Sequence, residues 1–277
     1  MPFFIIVFFA AFGAILASFL EVAAERFANQ ESLGGRSHCP QCGKTLGFFE
    51  LVPIASWLFL GGRCSACYKP IPVRHLVSEI TVAVLCGGFA YVTLPMLLSG
   101  DPFLIASIAL QFLVVAALVL AFLADIRFTI IPDESVIAIV FASALLIVLR
   151  YVVPQGTFGS GPLIPSVLSA IVGAALAVGL LGSFTLVSRG AWMGLGDVKL
   201  ALAFGLFFGA PLILFVLGAS FIVGAVVGLG LIMMQGKSLK STMPFGPALV
   251  IAALLFIFLP SHTISRLLEF FFLSTML

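Results

Sequence analysis

Six side chains in this chain have the type and spacing to do chemistry. Cys39-Pro40-Gln41-Cys42 and Cys64-Ser65-Ala66-Cys67 are two C-x-x-C pairs with 21 residues between them. Each pair can set two thiolates on one side of a tight turn, and two such knuckles supply the four tetrahedral sulfur ligands that zinc prefers. Gly43 follows the first pair, where a knuckle calls for a permissive backbone. Two disulfides are the competing reading, and the compartment of the loop decides between them. The other two side chains are Asp125, in Ala124-Asp125-Ile126-Arg127, and Asp197, in Gly194-Leu195-Gly196-Asp197-Val198-Lys199. Ionisable groups are costly inside apolar helices, about 2.5–3.5 kcal/mol at a helix centre, so each one there is a functional candidate. Two carboxyl groups brought face to face share one proton. The ionised acid can then activate water while its protonated partner polarises a carbonyl. The plain alternative for Asp197 is that it caps a helix N-terminus.

The remaining acids have simpler explanations. Asp133 and Glu134 follow Pro132 and suit a helix start, while Glu21 and Glu79 stand near span ends with Arg26 and Arg74 as candidate partners. His38 and His75 flank the four-cysteine stretch, and four thiols already complete a metal site. Cys86, in an apolar segment, reads as a small buried thiol.

What must position these residues is a membrane. Of 277 residues 62% are hydrophobic and 9% charged, with a mean hydropathy of +1.29. A soluble domain carries about a quarter charged residues, so most of this chain belongs in lipid. The net charge of +2 is too small and too scattered for a nucleic-acid partner. Eight segments are apolar enough to be spans: roughly 3–24, 76–98, 103–124, 135–153, 164–187, 198–210, 212–234 and 245–264. The sixth is short, and only Gly209-Ala210-Pro211 separates it from the seventh. The first run lacks a basic leader region and a clear cleavage site, so it is expected to remain as a transmembrane helix. Ser99-Gly100-Asp101-Pro102 and the Gly/Pro-rich stretch Pro154–Pro165 read as turns on one side of the membrane. Gly205/Gly209 and Gly224/Gly228 have the four-residue spacing of helices whose backbones pack closely.

Orientation follows from the basic residues. With eight spans and the N-terminus outside, Arg26, Arg36, Lys44, Arg63, Lys69, Arg74, Arg127, Arg189, Lys199, Lys237 and Lys240 fall on the inner side. Those are eleven of the thirteen Lys and Arg, and only Arg150 and Arg266 lie outward. The cysteine stretch is then cytoplasmic, where thiols stay reduced, and metal is favoured over disulfides. Asp125 and Asp197 fall at the same cytoplasmic membrane edge. The expected organisation is a first transmembrane helix (1–24), a cytoplasmic zinc-binding loop domain (25–75) and a membrane-embedded domain (76–277) in an all-α polytopic protein.

These residues together resemble the type IV prepilin peptidases, leader peptidases and N-methyltransferases of pilus and type II secretion systems. The likeness rests on Arg36-Ser37-His38-Cys39-Pro40-Gln41-Cys42, Glu50-Leu51-Val52-Pro53, Ser56-Trp57-Leu58, Gly62-Arg63-Cys64-Ser65-Ala66-Cys67 and Pro72-Val73-Arg74 with Glu79. It continues through Asp125-Ile126-Arg127, Ile131-Pro132-Asp133, Gly194-Leu195-Gly196-Asp197-Val198-Lys199 and Pro244-Phe245-Gly246-Pro247. The resemblance implies that Asp125 and Asp197 are the dyad of a GxGD-type intramembrane aspartyl protease in the bacterial inner membrane. It implies prepilin or pseudopilin substrates with a short basic leader, cleaved after a glycine just before the apolar pilin helix. The cysteine loop marks the bifunctional form, which methylates the new N-terminal amine with S-adenosylmethionine. Two segments depart from the usual pattern: Gly-Ser-Phe-Leu-Asn is here Ala17-Ser18-Phe19-Leu20-Glu21, and Asp-Asn-Ile-Pro is Glu50-Leu51-Val52-Pro53. Presenilin-type proteases share a GxGD motif but are not expected to carry the four-cysteine loop.

Overall fold

The structure is a computed structural model describing residues 2–152, 164–191, 193–235 and 244–274. Most of the Pro154–Pro165 turn, together with Lys237 and Lys240, lies outside the described residues. The described chain is helical, with no strand beyond two isolated bridges. Its helices are α1 (Pro2–Ala28), α2 (Ala55–Phe59), α3 (Val73–Leu98), α4 (Pro102–Phe128), α5 (Asp133–Val152), α6 (Val167–Val187), α7 (Leu195–Phe208), α8 (Leu212–Gln235), α9 (Gly246–Phe258) and α10 (Ser261–Ser274). Two compact units divide the chain, Met1–Leu94 and Pro95–Leu277.

The eight apolar segments all become helices, but they are not equally long. Six are long and apolar enough to cross a bilayer: α1, α3, α4, α5, α6 and α8. The sixth and eighth segments become α7 and α9, of 14 and 13 residues. At 1.5 Å per residue each reaches about 20 Å, short of the ~30 Å hydrocarbon core. α9 together with His262–Glu269 would make a seventh crossing, bent by 107°. The count of eight therefore becomes six full-length helices and two short ones, and the short ones frame the site described below.

In the first unit α1 packs on α3 through small residues. A Cβ on Gly13 would stand 2.7 Å from both Cys86 Cβ and the Val82 carbonyl oxygen. Cys86 is fully buried there, as a small apolar side chain. The intervening loop is built from two knuckles with the same hydrogen bonding. Cys39 N–H donates to Lys44 O (2.9 Å) and Gly43 N–H to Cys39 O (2.9 Å); Cys64 N–H donates to Lys69 O (3.0 Å) and Tyr68 N–H to Cys64 O (2.9 Å). In both knuckles the residue after the second cysteine is left-handed, Gly43 at φ +70° and Tyr68 at φ +57°. Each knuckle's lysine also reaches into the other: Lys44 Nζ donates to Ser65 (2.6 Å) and Lys69 Nζ to Gln41 (2.9 Å). Glu50 completes the tie, accepting from the Gly47 amide (2.7 Å), Lys44 (2.8 Å) and the Ser65 hydroxyl. The Gly47 amide, then Lys44 and Ser65, hold its carboxyl down at about 2 against an ordinary 4.5, so the tie stays charged at neutral pH.

In the second unit Leu118, Leu181, Leu200, Phe204, Ile213 and Leu249 form a shared buried core. Lipid tails are as apolar as these side chains, so close packing rather than water exclusion holds the helices together. The tightest approach joins α6 to α7. A Cβ on Gly173 would lie 2.6 Å from the Gly205 carbonyl oxygen, and one on Gly205 would lie 2.4 Å from Ala174 Cα. The close-packing expectation holds at Gly205. It fails at Gly228, which faces open space among the described residues, because four-residue spacing does not say which face meets a partner.

Local sequence explains the helix ends near the site. Asp101 accepts from the amides of Phe103 (2.8 Å) and Leu104 (3.3 Å), opening α4 with Pro102 at its first turn. α4 closes at left-handed Thr129, whose N–H donates to the Asp125 carbonyl at 2.9 Å. α5 opens on Asp133 and Glu134, as acids after Pro132 suggest.

Candidate active site

Asp125 sits in the last turn of α4 and Asp197 in the first turn of α7. They are 5% and 8% exposed, both buried although a lone carboxylate would pay heavily for leaving water. The two carboxyl groups interact electrostatically, so residues 72 positions apart in sequence face a common site. One Asp197 oxygen accepts from the Gly194 N–H at 3.3 Å, so the capping role foreseen for it is present. Capping uses one oxygen and leaves the other for chemistry. Asp125 Oδ2 is buried without a hydrogen-bond partner among the described residues. A buried, unpaired carboxyl oxygen is the kind of orphan that functional sites retain.

The glycines explain how the acids come so close. Gly246 opens α9, its backbone N–H faces the Asp125 carboxyl group, and a Cβ there would lie 2.2 Å from Asp125 Oδ2. Only a residue without a side chain admits the carboxyl group at that point. Ile131 fills the space between the two glycine segments. It lies 3.3 Å from where a Gly246 Cβ would stand and 3.4 Å from where a Gly196 Cβ would. Lys199 pairs with Asp133 at 2.7 Å, joining the starts of α7 and α5 across an exposed surface where the pair adds little energy. Arg127 lies over the Phe128 ring, 5.0 Å from its centroid. Asp133 and Glu134 thus keep their plain role. Gly246 and Ile131 were visible only as parts of motifs, because nothing local in Pro244–Pro247 or Ile131–Asp133 points to Asp125.

The second candidate cluster lies in the first unit. The sulfurs of Cys39, Cys42, Cys64 and Cys67 are all within 4.8 Å of one another, with Cys39 and Cys67 at 3.9 Å, and none is in a disulfide. Four thiolates about 2.3 Å from a tetrahedral zinc stand about 3.8 Å apart, so this donor set fits the ion with little movement. The amides of Cys67 and Ala66 hold the Cys64 thiol down at about 6, which favours the thiolate a metal needs. His38 and His75 are not members of the cluster. Glu21, for which arginine was the anticipated partner, is instead held by His75 Nδ1 and the Ser78 hydroxyl, each at 2.5 Å. Glu79 accepts the Ile54 N–H at 2.6 Å. Arg26 spends its guanidinium on the carbonyls of Leu33 and Gly34.

Two buried acids on separate helices of an apolar helical frame, with a four-thiol loop in a distinct unit, define a polytopic membrane protein of the paired-carboxylate type. Comparison with known proteins narrows that class. Residues 11–93 match the bacterial peptidase A24 N-terminal domain, and residues 112–229 match the type IV leader peptidase family. The chain is 32% identical over 217 residues to a prepilin leader peptidase/N-methyltransferase of Aeromonas salmonicida, covering 78% of this chain and 69% of the relative. It is 28% identical to proteins of the same name from Dichelobacter nodosus (91% and 79% covered) and Bacillus subtilis (88% and 90% covered). No solved structure matches. The chain belongs to the type IV leader peptidase family.

Proposed function

We propose that this protein removes the basic leader of type IV prepilins or pseudopilins and methylates the amine so exposed, with Asp125 and Asp197 as the peptidase dyad. The observation that carries the reading is the facing pair of buried acids, one of them keeping an unpartnered oxygen, in a chain of this family. A water between the two groups is deprotonated by the ionised acid while the protonated acid polarises the scissile carbonyl. The tetrahedral intermediate then collapses as the leaving amine takes a proton back. Gly246 leaves space for Asp125, and the glycines of Gly194–Gly196 allow a substrate strand to lie close to Asp197.

The excess of Lys and Arg on one side supports an inner-membrane protein with its N-terminus outside and both acids at the cytoplasmic face. The scissile bond of a leader peptide, between basic leader and apolar helix, lies at that depth. Residues 25–75 form the zinc-bearing part, attached to the methylation activity, and residues 76–277 form the peptidase. Cleavage of a co-expressed prepilin, followed by mass measurement of the released N-terminus, tests the whole reading. Loss of the leader and a gain of one methyl group support it, and an intact leader overturns it.

Zinc, held by Cys39, Cys42, Cys64 and Cys67, has a structural role, because four protein ligands leave no open position. It ties the two knuckles together and so fixes the loop between α1 and α3. Purified protein is expected to carry one zinc per chain. Cys39→Ser with Cys64→Ser should lower that to near zero while leaving leader cleavage within about threefold, a shift of under 1 kcal/mol in barrier. Metal analysis beside the cleavage rate checks this, and a metal-free protein with four intact thiols would remove the assignment.

A further inference from the structure

The polar loop between α1 and α3 carries a run of large apolar side chains that face outward. Phe48 and Phe49, on the short turn Phe48–Glu50, are 79% and 84% exposed. Leu58 and Phe59, the last residues of α2, are 61% and 90% exposed, and Leu51 between them is exposed too. The Phe48 and Phe49 rings meet edge to face, 5.7 Å between centroids, as one bulky knob. A concentration of exposed apolar groups on such a loop marks an interaction surface. Contacts of the same segment fix its depth. The Ile54 N–H donates to Glu79 of α3 at 2.6 Å, and the Glu79 carboxyl group is also hydrogen-bonded to Ser18 of α1. Ser18 lies six residues before Ala24, where the first apolar run ends, and that is about 9 Å inward along the helix. Leu51 and Pro53 line a recess with Ile15, Ser18 and Phe19 of α1. Ile15 and Phe19 are themselves exposed, as the lipid-facing side chains of a span are, so one apolar surface runs from α1 onto the loop. Ile54 takes φ +62°, ψ −55°, a costly conformation for a β-branched residue, and its bond to Glu79 holds it there.

We propose that residues 48–59 are an interfacial wedge: they enter the leaflet beside the Ala24 end of α1 and bury Phe48, Phe49, Leu58 and Phe59 among acyl chains just below the headgroups. The partner is the bilayer and not a second protein. The depth read from Ser18 matches the ~5–10 Å to which interfacial apolar faces sink. Backbone groups at that depth must be paired within the chain, and here they are. Leu51 N–H donates to Phe48 O (3.1 Å), Ser56 N–H to Val52 O (3.0 Å) and Leu58 N–H to Ile54 O (3.1 Å). Charge agrees as well: residues 25–75 hold six Lys and Arg against three acids, an excess that suits anionic headgroups. The wedge thus seats the four-thiol loop on the membrane. It depends on α1 and α3 being spans, and on neither the acid pair nor the metal.

The test uses the full chain in nanodiscs of phosphatidylcholine and phosphatidylglycerol. Trp57, beside Leu58 on α2, is the built-in probe once the other tryptophan is removed by Trp192→Phe. Acyl chains brominated near the headgroup end should quench its emission about twofold or more, and more strongly than chains brominated near the methyl end. Independently, a photoreactive benzophenone side chain in place of Phe49 or of Phe59 should give peptide adducts of lipid mass. Both positions are exposed, so the replacement leaves the packing intact, and unchanged far-UV helicity verifies that. Emission quenched by neither lipid would overturn the wedge, as would stronger quenching from the methyl end, which places the segment deeper. Adducts only with protein, whether a second copy or another segment of this chain, would overturn it too.

Discussion

Asp125→Asn and Asp197→Asn should each cut leader removal by about a hundredfold to ten-thousandfold, the range lost when a positioned acid or base is removed. The substitution is chosen because it separates chemistry from architecture at Asp197. Asparagine at this third helical position keeps a side-chain carbonyl oxygen able to accept from the Gly194 N–H, so the reach-back bond is expected to survive in the variant. A helix-capping role alone predicts near-normal cleavage, and a proton-sharing role predicts almost none. The measurement is the fraction of a co-expressed prepilin retaining its leader, read by mass, beside thermal unfolding of each variant in detergent. Unaltered processing in either variant would falsify the dyad.

Gly246→Ala carries the next largest effect. Its new methyl would stand 2.2 Å from Asp125 Oδ2 and 3.0 Å from Cγ, too close for any contact, so the carboxyl group or the start of α9 must shift. Misplacing a reacting group by about 1 Å can cost about a hundredfold, and a loss of that size is expected in kcat with little change in KM. Gly196→Ala supplies the control. Its methyl would meet Ile131 at an ordinary 3.4 Å, so its loss should be much smaller. Steady-state cleavage of a leader peptide by the two variants decides the matter: equal losses would show that Gly246 acts through general flexibility and not through the room it leaves beside Asp125.

How much of this was legible depended on how local each signal is. The thiol cluster could be read directly, because a C-x-x-C turn is fixed by four consecutive residues and two such turns need only meet. Asp125 and Asp197 stood out because a carboxylate in an apolar helix is expensive, and that cost shows without any knowledge of the fold. Gly246 and Ile131 carried no such cost. Their importance lies in which atoms they meet, and Gly246 meets a residue on α4 more than a hundred positions earlier. Glu21 was misjudged in its partner for the same reason: Arg26 is near in sequence, but His75 and Ser78, brought alongside by the α1–α3 packing, hold it. Segment lengths were the weakest inference. α7 begins at Leu195, earlier than its apolar run at 198, because Gly194 and Asp197 start the helix with polar groups that hydropathy does not count.

The contact between α6 and α7 has a consequence for how the enzyme moves. Where Gly173 and Gly205 meet, backbone lies on backbone with no side chain between to swing or repack. Such a seam has no slack, so the two helices travel as one rigid body that carries Asp197 with it. Any rearrangement that admits a substrate is then expected between this pair and the α4–α5 side that carries Asp125, where the exposed Lys199–Asp133 pair is the link to break. Spin labels on the pair should keep one separation with and without a leader peptide, while a label on α4 changes its distance to α7; a separation that widens within the pair would place the hinge elsewhere.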